Sequence, residues 1–179
     1  PDLDPILNQS ATQGTPLLVS VTASDPDLPF GDQLTYTTNN PTFTVTKTSA
    51  TQADLSFTPT NSDVGTRQIV VTVTDTAGAR DTESFFVTVA NINDPPTITS
   101  SPLTTGVINI PYSYDLKATD PDLQFGDALT FALAASPSTM AITKINNNTG
   151  RITWTPNASE FGQHLVLVHV SDNANATAT

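Results

Sequence analysis

Two short acidic motifs hold the residues with the clearest potential for chemistry, Asp25-Pro-Asp27 and Asp120-Pro-Asp122. On an extended segment, residues two apart point to the same side, so each motif offers a pair of carboxylates, and proline fixes the backbone between them. Such a pair can hold a hard cation or can serve in acid–base hydrolysis. Because the same pair recurs in two places, as structural repeats do, we favour the cation. The alternative is that these acids only form turns by bonding their own backbone.

The acidic motifs belong to a longer internal repeat. The segment from Asp25 to Thr35 recurs from Asp120 to Thr130 with only two differences, and the offset is 95 residues. Further along, Leu55 to Pro59 matches Ile152 to Pro156 at an offset of 97. Self-similarity of this kind is the signature of tandem structural units. The sequence therefore predicts two domains, residues 1–92 and 93–179.

Apolar residues alternate with Thr, Ser and other polar residues in both repeats, a pattern typical of strands with one buried face. Short strands with a turn every few residues predict an all-β fold of two tandem Greek-key β-sandwiches, each with seven strands once weak edges are counted. The predicted strands are Leu17–Thr22, Gln33–Thr38, Asp54–Thr58, Gln68–Thr74 and Glu83–Val89 in the first repeat, and Ser113–Ala118, Ala128–Leu133, Gly150–Thr155 and His164–Val170 in the second.

The second repeat lacks the last strand of the first. Asp75 is followed by the alternating strand Ser84–Val89, whereas Asp172 is followed only by residues 173–179, which are Asn, Ala and Thr. A sandwich without its last strand exposes unpaired backbone groups and apolar side chains. We expect that the strand belongs to a longer parent protein from which this chain is a fragment. The alternative is that a neighbouring chain supplies it.

Composition limits the partners. The chain carries 6 basic and 17 acidic residues, a net charge of −11, and a predicted pI near 4.1. This charge repels nucleic acid and anionic membrane surfaces and favours cations. The chain has no cysteine, and no apolar run reaches the roughly 20 residues that span a bilayer. We expect neither nucleic-acid binding nor membrane insertion.

The order of the motifs resembles cadherin repeats, and more closely the bacterial cadherin-like repeats of dystroglycan type and the related immunoglobulin-like repeats of large surface proteins. The resemblance covers essentially the whole chain. It is carried by Ala23–Asp27, Ala118–Asp122, Thr149–Pro156 and the junction Asn91–Pro96, together with the Val-x-Asp endings at Asp75 and Asp172.

Cadherin repeats hold Ca²⁺ at the junction between neighbours, so the resemblance implies a set of calcium ligands. At the junction these are Asn91, Asn93, Asp94, Asp120, Asp122 and Asp172, and at the opposite end of the first repeat they are Asp25, Asp27 and Asp75. Calcium takes six to eight oxygen ligands in irregular geometry, which suits loop carboxylates. The chain departs from the family at Asn91, which is normally Asp, and lacks the Asp-Arg-Glu motif, for which Asp63 could partly compensate. Asp32 and Asp127 follow glycine, and we interpret them first as turn formers.

The resemblance implies a non-catalytic role. We expect an extracellular pair of repeats that acts as a calcium-stiffened spacer or adhesion segment of a large bacterial protein, either on the cell surface or secreted. The expected partners are the neighbouring repeats of the same protein. The alternative is a calcium-dependent module that binds a polysaccharide or another surface protein.

Overall fold

The computed structural model describes every residue from Pro1 to Thr179. The chain forms two compact units, unit 1 (Pro1–Ile92) and unit 2 (Asn93–Thr179). Both consist of β-strands joined by turns and 3-10 helices of three to five residues, which confirms the all-β prediction. The structure contains no helix with the length and apolar character needed to cross a membrane.

Unit 1 is a sandwich of two four-stranded sheets. One sheet has the order β1-β3-β6-β5 and the other the order β2-β8-β7-β4. All neighbouring strands are antiparallel except β2 and β8, which are parallel. The strands are β1 (Asp2–Leu3), β2 (Gln9–Thr12), β3 (Leu17–Ser24), β4 (Thr35–Thr38), β5 (Thr44–Lys47), β6 (Gln52–Phe57), β7 (Gly65–Thr74) and β8 (Arg80–Ala90).

The core of unit 1 lies between these two sheets and follows the period-two pattern of the sequence. Sixteen apolar residues are buried there, and they include Val71 and Val73 of β7 and Phe85 and Val87 of β8. Threonine and serine occupy many of the alternate positions and face outward. Burying apolar area in this way is the main favourable contribution to folding.

Unit 2 repeats the plan with one sheet reduced. One sheet has the order β12-β13-β10-β9, and the other contains only β11-β14-β15. The core is smaller, with seven buried apolar residues, among them Leu116, Phe131 and Val170. The strands are β9 (Thr97–Ile98), β10 (Tyr112–Thr119), β11 (Thr130–Ala135), β12 (Ala141–Asn146), β13 (Thr149–Trp154), β14 (Leu167–Ser171) and β15 (Thr177–Ala178).

Each of the nine predicted strands overlaps an observed one, and the differences concern edges and ends. The alternation rule did not find β5 or β12, nor the short strands at sheet edges. Two residues beyond Asp172 do form a strand, β15. The strand predicted from His164 begins only at Leu167. A strand needs a hydrogen-bonded neighbour, and Leu167 is the first residue of this segment that pairs with β11.

Candidate metal centre

Three loops at one end of unit 2 bring together an acidic cluster, which we define as Asp120, Asp127 and Asp172. Each residue offers a carboxylate oxygen, and these oxygens lie within 4.8 Å of one another. Asp120 follows the end of β10, and Asp172 follows the end of β14. Asp127 comes one residue after Gly126, whose φ of 96° closes the preceding 3-10 helix in a conformation that glycine adopts readily.

Backbone hydrogen bonds fix one oxygen of each acid in this cluster. Asp120 Oδ1 accepts a bond from the Asp122 N–H at 2.8 Å. Asp127 Oδ1 accepts the N–H groups of Ala128 at 2.8 Å and Asn173 at 2.9 Å. Asp172 Oδ1 accepts the Ala176 N–H at 2.7 Å. The turn-forming role expected for Asp127 is therefore present, but it uses only one oxygen and leaves the other for the cluster.

The second oxygens of Asp120 and Asp127 are buried and accept no hydrogen bond. Asp120 and Asp172 are each only 4% exposed. Burial raises the pKa of Asp120, and the carboxylates of Asp127, Asp122 and Asp172 raise it further. A buried carboxylate without a donor is costly, and three close acids repel one another. A cation coordinated by these oxygens would remove both costs, so the residues present fit a metal ion.

The remaining predicted ligands of unit 2 lie beside the cluster. Asn93 donates from Nδ2 to Asp172 Oδ2 at 2.8 Å, and the Asp94 N–H donates to Asp122 Oδ2 at 2.6 Å. The segment after Asp120 is a 3-10 helix (Pro121–Phe125) rather than the expected extended strand. The turn directs Asp122 toward the start of unit 2 rather than into the three-acid cluster.

Unit 1 contains the matching acidic cluster, Asp25, Asp32 and Asp75, again with oxygens within 4.8 Å. Here a positive charge is present, because the ammonium of Pro1 lies 2.9 Å from Asp25 Oδ2. The pKa of Asp25 is lowered, chiefly by the hydrogen bond from the Asp27 N–H and then by this ammonium.

Sequence reasoning put Asp27 and Asp122 in the two ligand sets, while the clusters contain Asp32 and Asp127. A signal was available, since Gly31-Asp32 recurs as Gly126-Asp127 at the repeat offset. Asn91 belongs to unit 1 and is exposed. Its role as a ligand, like those of Asp27 and Asp122, stays a prediction.

Asp63 has a structural role within unit 1. Its Oδ2 accepts the N–H of Thr60 at 2.9 Å and the hydroxyl of Thr60 at 2.7 Å, and its Oδ1 accepts Arg67 Nη1 at 2.8 Å. Both carboxylate oxygens are thus engaged in a capping box and an ion pair. These contacts give no support to the hypothesis that Asp63 compensates for a missing calcium ligand.

Comparison with solved structures gives similarity to cadherin ectodomains. The PcdhgB3 EC1-4 fragment has a TM-score of 0.65 at 13% identity, with 98% of this chain and 46% of that chain covered. The human desmocollin-1 ectodomain has a TM-score of 0.54 at 20% identity, covering 98% of this chain and 34% of that one. An endo-fucoidan hydrolase from glycoside hydrolase family 107 has a TM-score of 0.44 at 24% identity, with 98% of this chain and 27% of that chain covered.

The chain spans less than half the length of each of these three structures, and at such identities the likeness concerns the fold alone. No curated protein matches the sequence. The family model of the bacterial Ig domain matches residues 2–88 and again residues 93–179, nearly the whole chain. The chain therefore belongs to the bacterial Ig domain family and contains two tandem, cadherin-like copies of that domain.

Proposed function

We propose that this chain is a non-catalytic segment of a large bacterial surface or secreted protein, in which Ca²⁺ stiffens the connection between repeats for a spacer or adhesive role. The observation that carries the proposal is the buried Asp120 Oδ2, which has no hydrogen-bond donor although it lies in a cluster of three acids. Membership of the bacterial Ig domain family supports the extracellular repeat role.

Calcium fits the cluster better than other common metals. The candidate ligands are carboxylates from three loops, with no thiolate because the chain has no cysteine. Calcium accepts six to eight oxygens in irregular geometry, whereas Mg²⁺ requires a near-ideal octahedron and Zn²⁺ prefers nitrogen and sulfur ligands. Backbone carbonyls and water would complete the coordination. Three ionised carboxylates would more than balance the two positive charges of the ion and leave the site with a small net negative charge.

The proposed stiffening acts through the first residues of unit 2. Asn93 contacts Asp172 and Asp94 contacts Asp122, so the residues that follow Ile92 are tied to the acidic loops. An ion that holds these loops would also restrict the backbone of residues 93 and 94. A ligand that binds one conformation stabilises it by mass action, by about 2.7 kcal/mol when its concentration is a hundred times Kd.

A thermal melt with chelator and then with about 10 mM Ca²⁺ tests the site, since extracellular calcium modules have Kd values of about 0.1 to 1 mM. The fluorescence of Trp154, the only tryptophan, reports unit 2. We expect Ca²⁺ to raise its Tm by several degrees. The double variant Asp120→Asn, Asp127→Asn should lose that rise.

The matched control for the thermal melt is Asp115→Asn, which removes one charge from the same unit at its ion pair with Arg151. Its Tm can differ from that of the parent chain, but the Ca²⁺-dependent rise should remain. If the parent chain shows no rise, or if Asp115→Asn abolishes it equally, the site proposal fails.

Stiffening itself needs a second measurement, and the absence of cysteine makes specific labelling simple. Ala50 and Asn147 are exposed, one in each unit, and both can be replaced by cysteine and labelled with a fluorophore pair. Single-molecule energy transfer should give a broad distribution in chelator and a narrower one with Ca²⁺. An unchanged distribution together with a raised Tm would retain the metal site and remove the stiffening role.

One observation favours the alternative role as a calcium-dependent binding module for a polysaccharide or a surface protein. Phe30 and Phe125 occupy matching positions in the acidic turns and are 85% and 41% exposed. Aromatic side chains can stack on sugar rings or anchor a protein partner. Binding to a glycan array with Ca²⁺ that is lost in the variant Phe30→Ala, Phe125→Ala would move this role to first place.

A further inference from the structure

The side chain of Gln13 extends the pairing between β2 and β8 by one step. These strands pair in parallel, and their last partners are Thr12 and Ala90. Beyond that pair, the Gln13 N–H still donates to the Ala90 carbonyl at 3.0 Å. The next bond of a parallel ladder would run from the Ile92 N–H to the Gln13 carbonyl, but here the acceptor is Gln13 Oε1, at 3.1 Å. A side-chain amide thus takes the place of a backbone carbonyl.

A sharp turn explains why a side chain continues the pairing. The backbone leaves β2 at Gly14, whose φ of 73° lies in the left-handed region that glycine adopts readily. The Gly14 N–H donates to Pro59 O at 2.8 Å, and the Thr15 N–H donates back to Thr12 O at 3.0 Å. The chain therefore departs from β8 directly after Gln13, and the amide of that residue reaches back to the neighbouring strand.

The matching turn of unit 2 separates this contact from turn formation. Ile108 stands at the position of Gln13, at the repeat offset of 95. Asn109 takes the place of Gly14 with a φ of 61°, and its N–H donates to Pro156 O at 2.7 Å. The turn thus forms in the same way with isoleucine at this position. The amide of Gln13 is therefore not needed for the turn and serves the residue that it contacts.

That residue belongs to the linker, which we define as residues 91–96 between β8 and β9. Asn91 and Ile92 follow the last paired residue of β8, and both are exposed. A backbone N–H that bonds only to water places no restraint on the chain, whereas a bond to Gln13 fixes its direction. Gln13 is neutral and belongs to neither acidic cluster, so this bond requires no cation.

We propose that Gln13 is a positioning residue that holds residues 91 and 92 as a continuation of β8. The connection between the units then has two restraints. Gln13 directs the backbone as it leaves unit 1 without any metal, and the metal centre acts on Asn93 and Asp94 of unit 2. The purpose of the Gln13 bond rests on the proposed spacer function, but the bond itself is tested in chelator.

Amide hydrogen exchange, measured by NMR in chelator, tests the bond. Gln13→Met keeps the length of the side chain but removes its oxygen, so the Ile92 amide should exchange about tenfold faster, as expected for the loss of one hydrogen bond. Gln13→Glu keeps an acceptor and should restore the slow exchange of the parent chain. Gln9→Met is the matched control and should leave Ile92 unchanged, because Gln9 lies on the same strand but its amide donates to Leu7 O.

A second measurement asks whether the bond positions the linker. The fluorophore pair at positions 50 and 147 should give a broader energy-transfer distribution for Gln13→Met than for the parent chain, both in chelator and with Ca²⁺. A merely structural role within unit 1 would change its stability and leave this distribution unchanged. The Ca²⁺-dependent rise in the Tm of unit 2 should remain in Gln13→Met, because Gln13 belongs to unit 1.

Three results would overturn the proposal. Equal exchange of the Ile92 amide in the parent chain and in Gln13→Met would show that the bond does not restrain it. Fast exchange in Gln13→Glu as well would assign the effect to a cause other than the acceptor. An unchanged energy-transfer distribution would show that the bond does not position the linker. A missing Ca²⁺ response of the parent chain, in contrast, would refute the metal site of unit 2 and not the role of Gln13.

Discussion

At the residue scale, the hydrogen-bond donors that reach a buried carboxylate decide the direction in which its pKa shifts. Asp63 and Asp120 are 6% and 4% exposed, yet their pKa values shift in opposite directions. Burial alone would raise both. For Asp63, hydrogen bonds from Thr60 and the charge of Arg67 outweigh burial and lower the pKa. Asp120 accepts only one backbone hydrogen bond, has acids as neighbours, and is therefore the better ligand for a cation.

The first prediction concerns the stability that Asp63 provides. Asp63→Ala would leave the Thr60 N–H and the Arg67 guanidinium without their acceptor, so we expect a loss of about 1 to 3 kcal/mol in unit 1. Urea unfolding followed by far-UV circular dichroism measures the change, while the Trp154 transition should stay in place. Asp54→Ala is the control, because Asp54 is partly exposed and its bond from Ser20 is less critical. A loss of less than about 0.5 kcal/mol for Asp63→Ala would contradict the structural role.

A second prediction at this scale is the pH dependence of the Asp63 contribution. The folded pKa of Asp63 lies below its unfolded value, so the stabilisation is complete above the unfolded pKa of about 3.9. It is lost as pH falls from there through the folded pKa. Asp63→Asn should therefore differ most from the parent chain near neutral pH and converge with it below about pH 4. Urea midpoints of unit 1 measured from pH 7 to pH 3 check this, and a constant difference across the range would contradict it.

At the element scale, close approach between the two sheets of unit 2 decides which residue fits at position 150. Gly150 lies in β13, and a Cβ atom added there would be 2.8 Å from Phe131 Cγ. Real Cβ atoms essentially never come within 3.0 Å of such an atom, so either the ring of Phe131 or the backbone at position 150 would have to move. Phe131 is 8% exposed and belongs to the core of unit 2, so the ring has little freedom to do so.

The third prediction follows from this contact. Gly150→Ala should destabilise unit 2 by about 1 to 3 kcal/mol, the usual cost of overpacking a core. Gly106→Ala is the matched control, because its added Cβ would meet Trp154 at an ordinary distance of 3.6 Å. Urea unfolding followed by Trp154 fluorescence compares the two variants. Equal stabilities for both variants would show that Phe131 can shift without cost.

At the scale of the whole molecule, the two units differ in how much apolar surface they bury. Sixteen buried apolar residues form the core of unit 1, and seven form the core of unit 2. Part of the difference lies in strand β8, whose inward side chains Phe85, Val87 and Val89 have no counterpart in the core of unit 2. Hydrophobic stabilisation scales with the apolar area removed from water.

The fourth prediction is that the units unfold separately, with unit 2 first. In chelator, the Trp154 transition should occur at a lower urea concentration than the main transition in far-UV circular dichroism. The variant Val71→Ala, which truncates a fully buried side chain in unit 1, should lower only the second transition. One coincident transition for both signals, shifted as a whole by Val71→Ala, would mean that the units unfold cooperatively.

The sequence by itself determined nine of the fifteen strands, the repeat and the family resemblance. Period-two alternation is a local property, because inward and outward side chains must alternate along any half-buried strand. It therefore predicted β3, β7 and β10 without knowledge of their partners. The repetition of Gly-Asp and Asp-Pro-Asp motifs was likewise visible in the residues alone, and it located both acidic ends of the repeats.

Only the tertiary structure decided which acids meet and which stay without donors. Asp120, Asp127 and Asp172 come from three loops, and the 3-10 helix after Asp120 turns Asp122 away from them toward Asp94. Asp63 accepts hydrogen bonds from Thr60 and Arg67 and belongs to neither acidic cluster. Short edge strands such as β9 and β15 also escaped prediction. Contacts between distant segments depend on the path of the chain in space, and no spacing along the sequence carries that information.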